Sequence, residues 1–246
     1  MARKAGKGDR SEVATLAIDI GGSGLKATVL DRDGSMLADR VRVETPDVSP
    51  PEMIVEALVE LVKPLPPFDR ISIGFPGVVR NGCVLTAPNL GTEEWHGFPL
   101  AATLGARLGD KPARLLNDAE VQGYGVICGN GLEFVITLGT GLGSALFRDG
   151  ELMPHLELAQ FPFRKKKTLD DYIGDATLEK IGAKKWNARV ETMIEAFRTL
   201  LNFDTLYIGG GNTRKLSIKL AQDVKIVSND AGLTGGLRLW EDETES

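Results

Sequence analysis

The alternation of apolar and polar positions changes period several times along the chain, and each change predicts an element. From Leu16, "LAIDI" is a mainly apolar run ending in glycines, "LKATVL" resumes with β-branched residues, "DRDG" is a turn signature and "SMLADRVRVETP" alternates again. Such segments separated by tight turns predict a three-stranded antiparallel meander. "PPEMIVEALVELVKPL" switches to helical spacing, with proline at its start and soon after its end. A buried strand in "RISIGFPGVV", a helix in "PLAATLGARLG" and a strand passing into a helix in "ARLLNDAEVQGYGVI" follow.

The opening plan then returns. "EFVITLGTGLGSALFRDGELM" runs strand, glycine turn, strand, Arg-Asp-Gly turn and strand, and "VLDRDG" against "ALFRDG" marks an internal repeat. Beyond it, "KKWNARVETMIEAFRTLLN" sets Trp186, Val190, Ile194, Phe197 and Leu201 on one helical face. "FDTLYIGGGNTRKL" is a strand entering three glycines, and "VKIVSNDAGLTGGLRLW" a strand followed by a terminal helix. The expected architecture is two related α/β domains, residues 14–112 and 113–240, facing each other across a central cleft. The border is set at "GDKPA", the terminal helix is free to pack back on the first domain, and 1–13 and 241–246 are read as a disordered tail and an acidic tail.

The first glycine turn admits two readings. Gly22, Gly24 and Ala27 fit a dinucleotide fingerprint, with Glu44 as the distant acid. That fold needs a helix directly after its glycines, whereas "LKATVLDRDG" offers a strand and a turn, so a phosphate-gripping turn is preferred. Two such turns, one per repeat, suit clamping a phosphate chain from both sides. Backbone amides of Gly21, Gly22, Gly24 and Gly141 would approach the oxygens, and Ser23, Lys26 and Thr140 would add donors. Two ordinary hairpin bends are the alternative. Asp19, beside the first turn, would repel phosphate directly and is expected to hold Mg²⁺, through water or not.

Net charge and composition narrow the classes. At 246 residues with 42% hydrophobic side chains, the chain can bury one large core or two modest ones. No apolar run is long enough to span a membrane, and "MARKAGKGDRSEVA" is basic with no apolar stretch behind it, so a soluble cytoplasmic protein is expected. A net charge of −5 argues against general nucleic-acid binding. Cys83 and Cys128 make neither a disulfide framework nor a thiolate zinc site, and His96 and His155 add little. Against the acidic background, "FRKKK", with Lys165, then Lys180, Lys184, Lys185 and Arg189, concentrates positive charge. Such a run is either a solvated face or an attractor for a polyanion.

Three further groups carry candidate chemistry. "LLNDAE" puts Asn117 and Asp118 just past a strand, where Asp118 could accept a hydroxyl proton and Asn117 bond a neighbouring hydroxyl; capping of the next helix explains the pair equally well. Gly77 and Asn89, with Trp95 beyond, suit sugar hydroxyls and an apolar sugar face, or simply loop packing. Glu157 and Gln160 place a carboxylate near an amide, suited to vicinal hydroxyls or to an exposed loop. Gly209, Gly210 and Gly211 could serve a nucleotide or more phosphate.

Taken together, "IDIGGSGLK", "GFPGVV", "NDAE", "TLGTGLGSALF", "LELAQFPFRKKKTLDDYIGDATLEKIGAKKWNARV", "LYIGGGNTRK" and "NDAGLTGG" resemble the ROK sugar kinases, within them the polyphosphate glucokinase branch, from Leu16 to Leu239. The resemblance implies an actin-like, ribonuclease H-like duplicated fold that closes on substrate, and Mg²⁺ dependence. It implies phosphoryl transfer from inorganic polyphosphate, with ATP as a further donor, to the 6-hydroxyl of glucose, and a homodimer. By position, Asp118 resembles the catalytic base, Asn89, Asn117 and Glu157 sugar ligands, and Gly21 to Lys26 with Thr140 and Gly141 the phosphate loops. The cysteine-rich zinc motif of many ROK proteins is missing here, as in the polyphosphate branch. The family pattern also has histidine, touching the sugar and orienting the neighbouring acid, where this chain has Gln160. An ATP-dependent hexokinase or glucomannokinase, and a catalytically weakened sugar-binding protein, are the alternatives.

Overall fold

The computed structural model describes residues 13–46, 49–88, 90–164, 166–228 and 234–243. Strand β1 (Thr15–Gly21) turns back on β2 (Gly24–Leu30), and β3 (Val41–Val43) follows at the edge. The third strand is much shorter than the alternation in "SMLADRVRVETP" predicts. The Asp31 carboxylate takes the amides of Asp33 and Ser35, so this backbone bonds locally, leaving a single bridge from Leu30 to Met36 before β3. Helix α1 (Pro51–Val62) leads to β4 (Arg70–Phe75), a small hairpin of β5 (Val79–Arg80) and β6 (Cys83–Val84), α2 (Thr92–Trp95), α3 (Leu100–Arg107) and β7 (Ala113–Asn117). The sheet order is β3-β2-β1-β4-β7, with β4 parallel to both β1 and β7. The first sheet therefore runs to Asn117 instead of closing before residue 113, because β4 still offers an open edge that the apolar "ARLLN" segment fills.

Helix α4 (Asp118–Tyr124) leaves β7 directly, and the plan repeats in β8 (Leu132–Leu138), β9 (Leu142–Arg148) and β10 (Glu151–Leu152). After them come a hairpin of β11 (Pro162–Arg164) and β12 (Lys167–Thr168), the helices α5 (Leu169–Ile173), α6 (Asp175–Ile181) and α7 (Ala183–Leu201), then β13 (Thr205–Gly209) and β14 (Val224–Ile226). The second sheet reads β10-β9-β8-β13-β14, the same order and strand directions as the first. Duplication predicted from two short turn sequences is thus present in the hydrogen-bond pattern.

Each sheet has its own core. Leu16, Ile18, Ile20, Ile71, Ile73 and Phe75 pack beneath Ile54, Leu58 and Leu104 of α1 and α3. In the second half, Phe134, Ile136 and Leu206 meet Trp186, Val190, Met193, Ile194 and Phe197 of α7. At roughly 2 kcal/mol for each buried side chain of this size, that stripe alone is worth more than the helix's own propensity. Trp95 belongs to the first core. It is fully buried, its indole N–H donates to the carbonyls of Ser49 and Leu90, and it does not line the cleft, so it cannot cover a sugar.

The terminal helix that the sequence pattern predicts is a 3₁₀ segment, Gly235–Glu243. The Gly236 carbonyl accepts a bond from Ser72 Oγ, and Trp240 Nε1 donates to the same Ser72. These bonds tie the segment to β4, and it also packs on β1 and on α4. Among the described residues no helix is long and apolar enough to cross a membrane.

Candidate active site

One cleft, about 260 Å³ in volume, takes residues from both halves. Its upper rims are the two glycine turns. The first spans two residues, Gly22 and Ser23, because Gly21 pairs with Gly24. Its counterpart is the Gly139–Gly141 bend that joins Leu138 to Leu142. Gly21, Gly22, Ser23 and Lys26 line one wall and Thr140 and Gly141 the other. Gly24 stays within β2, where a Cβ would stand 2.9 Å from Arg42 Nε.

The second turn is braced from behind. Asp170, in α5, accepts the Leu142 amide at 2.8 Å, and Asn212 donates to the Gly139 carbonyl at 3.1 Å and to Asp175 at 3.2 Å. Burial raises the pKa of Asp170, and the Leu142 amide partly offsets this. Gly210 has φ +94°, and a Cβ there would fall 2.2 Å from the Leu138 carbonyl oxygen, so both its conformation and its neighbours demand glycine. Gly210 and Gly211 line the cleft, whereas Gly209 ends β13 against Gln122.

Asp118 lines the same cleft. Its position follows from local chemistry: Asn117 caps α4, its Oδ1 taking the Ala119 amide, while Glu120 returns to the Asn117 amide at 3.0 Å. The Asn117 side-chain amide also donates to the carbonyls of Gly77 and Phe75, so it is largely committed to the backbone. Gly77 itself passes so near Thr86 that a Cβ would lie 2.0 Å from that carbonyl oxygen. With Asp118 so enclosed, its proton affinity climbs. Burial first, then the charge of Asp19, raise its pKa from 3.8 to about 7, with Glu157 and Glu120 adding to the effect and the Ala119 amide opposing it. Asp19 lies on the same cleft with Lys26 Nζ 2.7 Å from its Oδ2.

The cleft is also lined by Glu157, which caps a short 3₁₀ turn, Leu158–Gln160, and by the exposed Gln160 at the end of that turn; Ser144 Oγ secures the approach through the Leu156 carbonyl. Between Glu157 and Glu120 stands His155, to which the sequence pattern assigns no role. Its Nδ1 is 2.8 Å from Glu120 and its Nε2 3.5 Å from Glu157. Burial alone would lower its pKa; the two carboxylates overcome that and push it to about 9. Its place in "PHLEL", two residues before Glu157, is the one signal the sequence offers. Lys184 and Lys185 are exposed on α7 outside the cleft, and Asn89 and Lys165 lie outside the described residues.

Comparison with known proteins fixes the lineage. The sequence model of the ROK family matches residues 15–154, more than half of the chain. This chain belongs to the ROK family. A polyphosphate glucokinase of Mycobacterium tuberculosis is 32% identical over 207 residues, spanning 80% of this ROK protein and 77% of the relative. The crystal structure of an inorganic polyphosphate/ATP-glucomannokinase from Arthrobacter sp. strain KM superposes with TM-score 0.82 at 28% identity, covering 92% of this chain and 98% of that one. A ROK family glucokinase from Streptomyces griseus, at 20% identity, shares the fold with TM-score 0.74 over 92% of this chain and 98% of its own. The duplicated α/β architecture with its central cleft is the actin-like fold of these ROK sugar kinases.

Proposed function

We propose that this ROK protein is a polyphosphate-dependent glucokinase that also accepts ATP. The carrying observation is one cleft lined by both glycine turns and by the half-buried Asp118, whose pKa is raised to about 7. Similarity to the mycobacterial polyphosphate glucokinase and the Arthrobacter glucomannokinase selects the substrates.

In this reading the terminal phosphates of the donor lie between the turns, held by backbone amides of Gly21, Gly22 and Gly141, by Ser23 and Thr140, and by the Lys26 ammonium. Glu157, Gln160, Gly77 and Asn117 receive the sugar, and Asn89 is assigned to it by its place in the sequence. Asp118 takes the proton from the 6-hydroxyl as that oxygen bonds to the terminal phosphorus and the phosphoanhydride bond breaks, the shortened polyphosphate leaving. With its pKa raised to about 7, about half of Asp118 is ionised at neutral pH, and that form is basic enough to hold the proton. Asp19 and Asp118 present hard oxygen donors to one cleft, and the Asp19 charge is felt at Asp118. Such a set suits Mg²⁺, which takes one or two carboxylates and completes its shell from phosphate and water. Asp19 would hold the ion, which when bound offsets charge on the donor phosphates.

ATP as second donor is favoured by the open space at Gly211, where even an added Cβ would meet no heavy atom within 4 Å. Lys184 and Lys185, exposed on α7, suit the outer path of a long polyanion; Lys165, by its place in the sequence, and a homodimer belong to the same reading. The test is a coupled glucose-6-phosphate assay with polyphosphate and ATP offered separately with Mg²⁺. Glucose-dependent turnover with polyphosphate, weakening as salt rises, is expected. Absence of transfer from either donor would refute the assignment.

A further inference from the structure

His155 is held differently from every other side chain in the cleft. Both ring nitrogens face carboxylate oxygens, Glu120 at 2.8 Å and Glu157 at 3.5 Å, and the imidazole is only 14% exposed. A neutral imidazole donates from one nitrogen and accepts at the other, so it would set a lone pair against one of these anions; only the protonated ring can donate to both. The two partners are unequal. Glu120 is 5% exposed and pinned by its other oxygen to the Asn117 amide in the cap of α4. Glu157 is 31% exposed, on the cleft wall. The imidazole thus joins a fixed carboxylate to one that faces the ligand.

We propose that His155 is a positioning residue for the sugar, a protonated strut that braces the Glu157 carboxylate against Glu120 and so fixes the atoms that recognise sugar hydroxyls. The proposal rests on the sugar role given above to Glu157. Glu120 from α4 and Glu157 from the 3₁₀ turn face the ring directly; Asp118 and Asp170 stand a step further off, each sensing the charge of Glu157. Asp19, Asp118, Glu157 and Asp170 line the cleft, and among the described residues its lining holds one other basic side chain, Lys26, which pairs with Asp19.

Two substitutions separate bracing from packing. Glutamine reproduces a donor near Nε2, toward Glu157, and asparagine one near Nδ1, toward Glu120. His155→Asn should raise the glucose KM about tenfold or more, the scale of a charged hydrogen bond lost. His155→Gln should raise it no more than about threefold, since the donor to Glu157 survives. The donor KM should hold in both. Equal glucose KM increases in the two variants, a donor KM that rises in parallel, or an unchanged glucose KM in His155→Asn would overturn the positioning role.

A second readout is independent of turnover. The chain has two histidines, so His96→Gln assigns the ring ¹⁵N signals of His155. Both ring nitrogens should carry protons at about pH 8, and Glu120→Gln should bring the ring back toward its ordinary titration near 6.5. A neutral ring at that pH in the wild type refutes the strut whatever the assay shows. Conversely, wild-type protein with a protonated ring but no sugar phosphorylation would refute the kinase assignment while leaving the strut intact.

Discussion

Asp118→Asn should make the protein more stable while disabling it. The substitution keeps the shape and the oxygen that accepts the Ala119 amide, but removes a charge from a site where burial and Asp19 oppose it. Displacement of the pKa from 3.8 to about 7 corresponds to about 4 kcal/mol held against the ionised form, an upper limit because the cleft admits water. The sign follows from linkage. Between those values the folded protein keeps a proton that the unfolded chain has lost, so stability falls as pH rises through this window. The wild type carries no penalty below about pH 4 and the full penalty above about pH 7, whereas asparagine carries none at either. Urea unfolding at about pH 8 should show Asp118→Asn more stable by about 1–4 kcal/mol, and at about pH 5 by a third to a half of that. Turnover should drop by about 10²–10⁴ through loss of the base. A variant no more stable than wild type at the higher pH, or a gap that does not shrink at the lower, would refute the electrostatic account. Retention of more than about a tenth of the activity would refute the base.

Two other substitutions probe the walls. Lys26→Met removes a partly exposed pair worth about 1 kcal/mol at most, so thermal unfolding should move little while the KM for polyphosphate rises about tenfold; an unchanged donor KM would remove Lys26 from the phosphate site. Trp95→Ala empties a fully buried site and should cost about 3–5 kcal/mol by denaturant titration, with the glucose KM of the folded fraction unaltered. A selective rise in that KM would return the indole to the sugar.

What is legible in the chain is what repeats or has a period. The two glycine turns flanked by strands, and the helical stripe from Trp186 to Phe197, are local patterns, and the fold places them as read. The helix cap at Asn117 is also legible, as an alternative that the geometry bears out. Contacts across long separations are not. Glu120 and His155 are 35 residues apart, and Asp170 lies 28 residues from the amide it secures, with no spacing rule linking them. Trp95 misleads because an aromatic beside polar loop residues has the same local signature whether it faces a ligand or the core. The border at "GDKPA" fails for a related reason, since a loop marks the end of a helix but cannot say which sheet the next strand joins.

Helix α4 touches β4 and β7 of the first sheet, β8 and β9 of the second, and the terminal segment that returns to the first. It is the common axle of the two halves. For any rotation of one sheet against the other about that axle, displacement grows with distance from it. The glycine rims would travel further than Asp118, which sits at the first turn of α4. Opening and closing would then alter the grip on the donor more than the place of the proton acceptor.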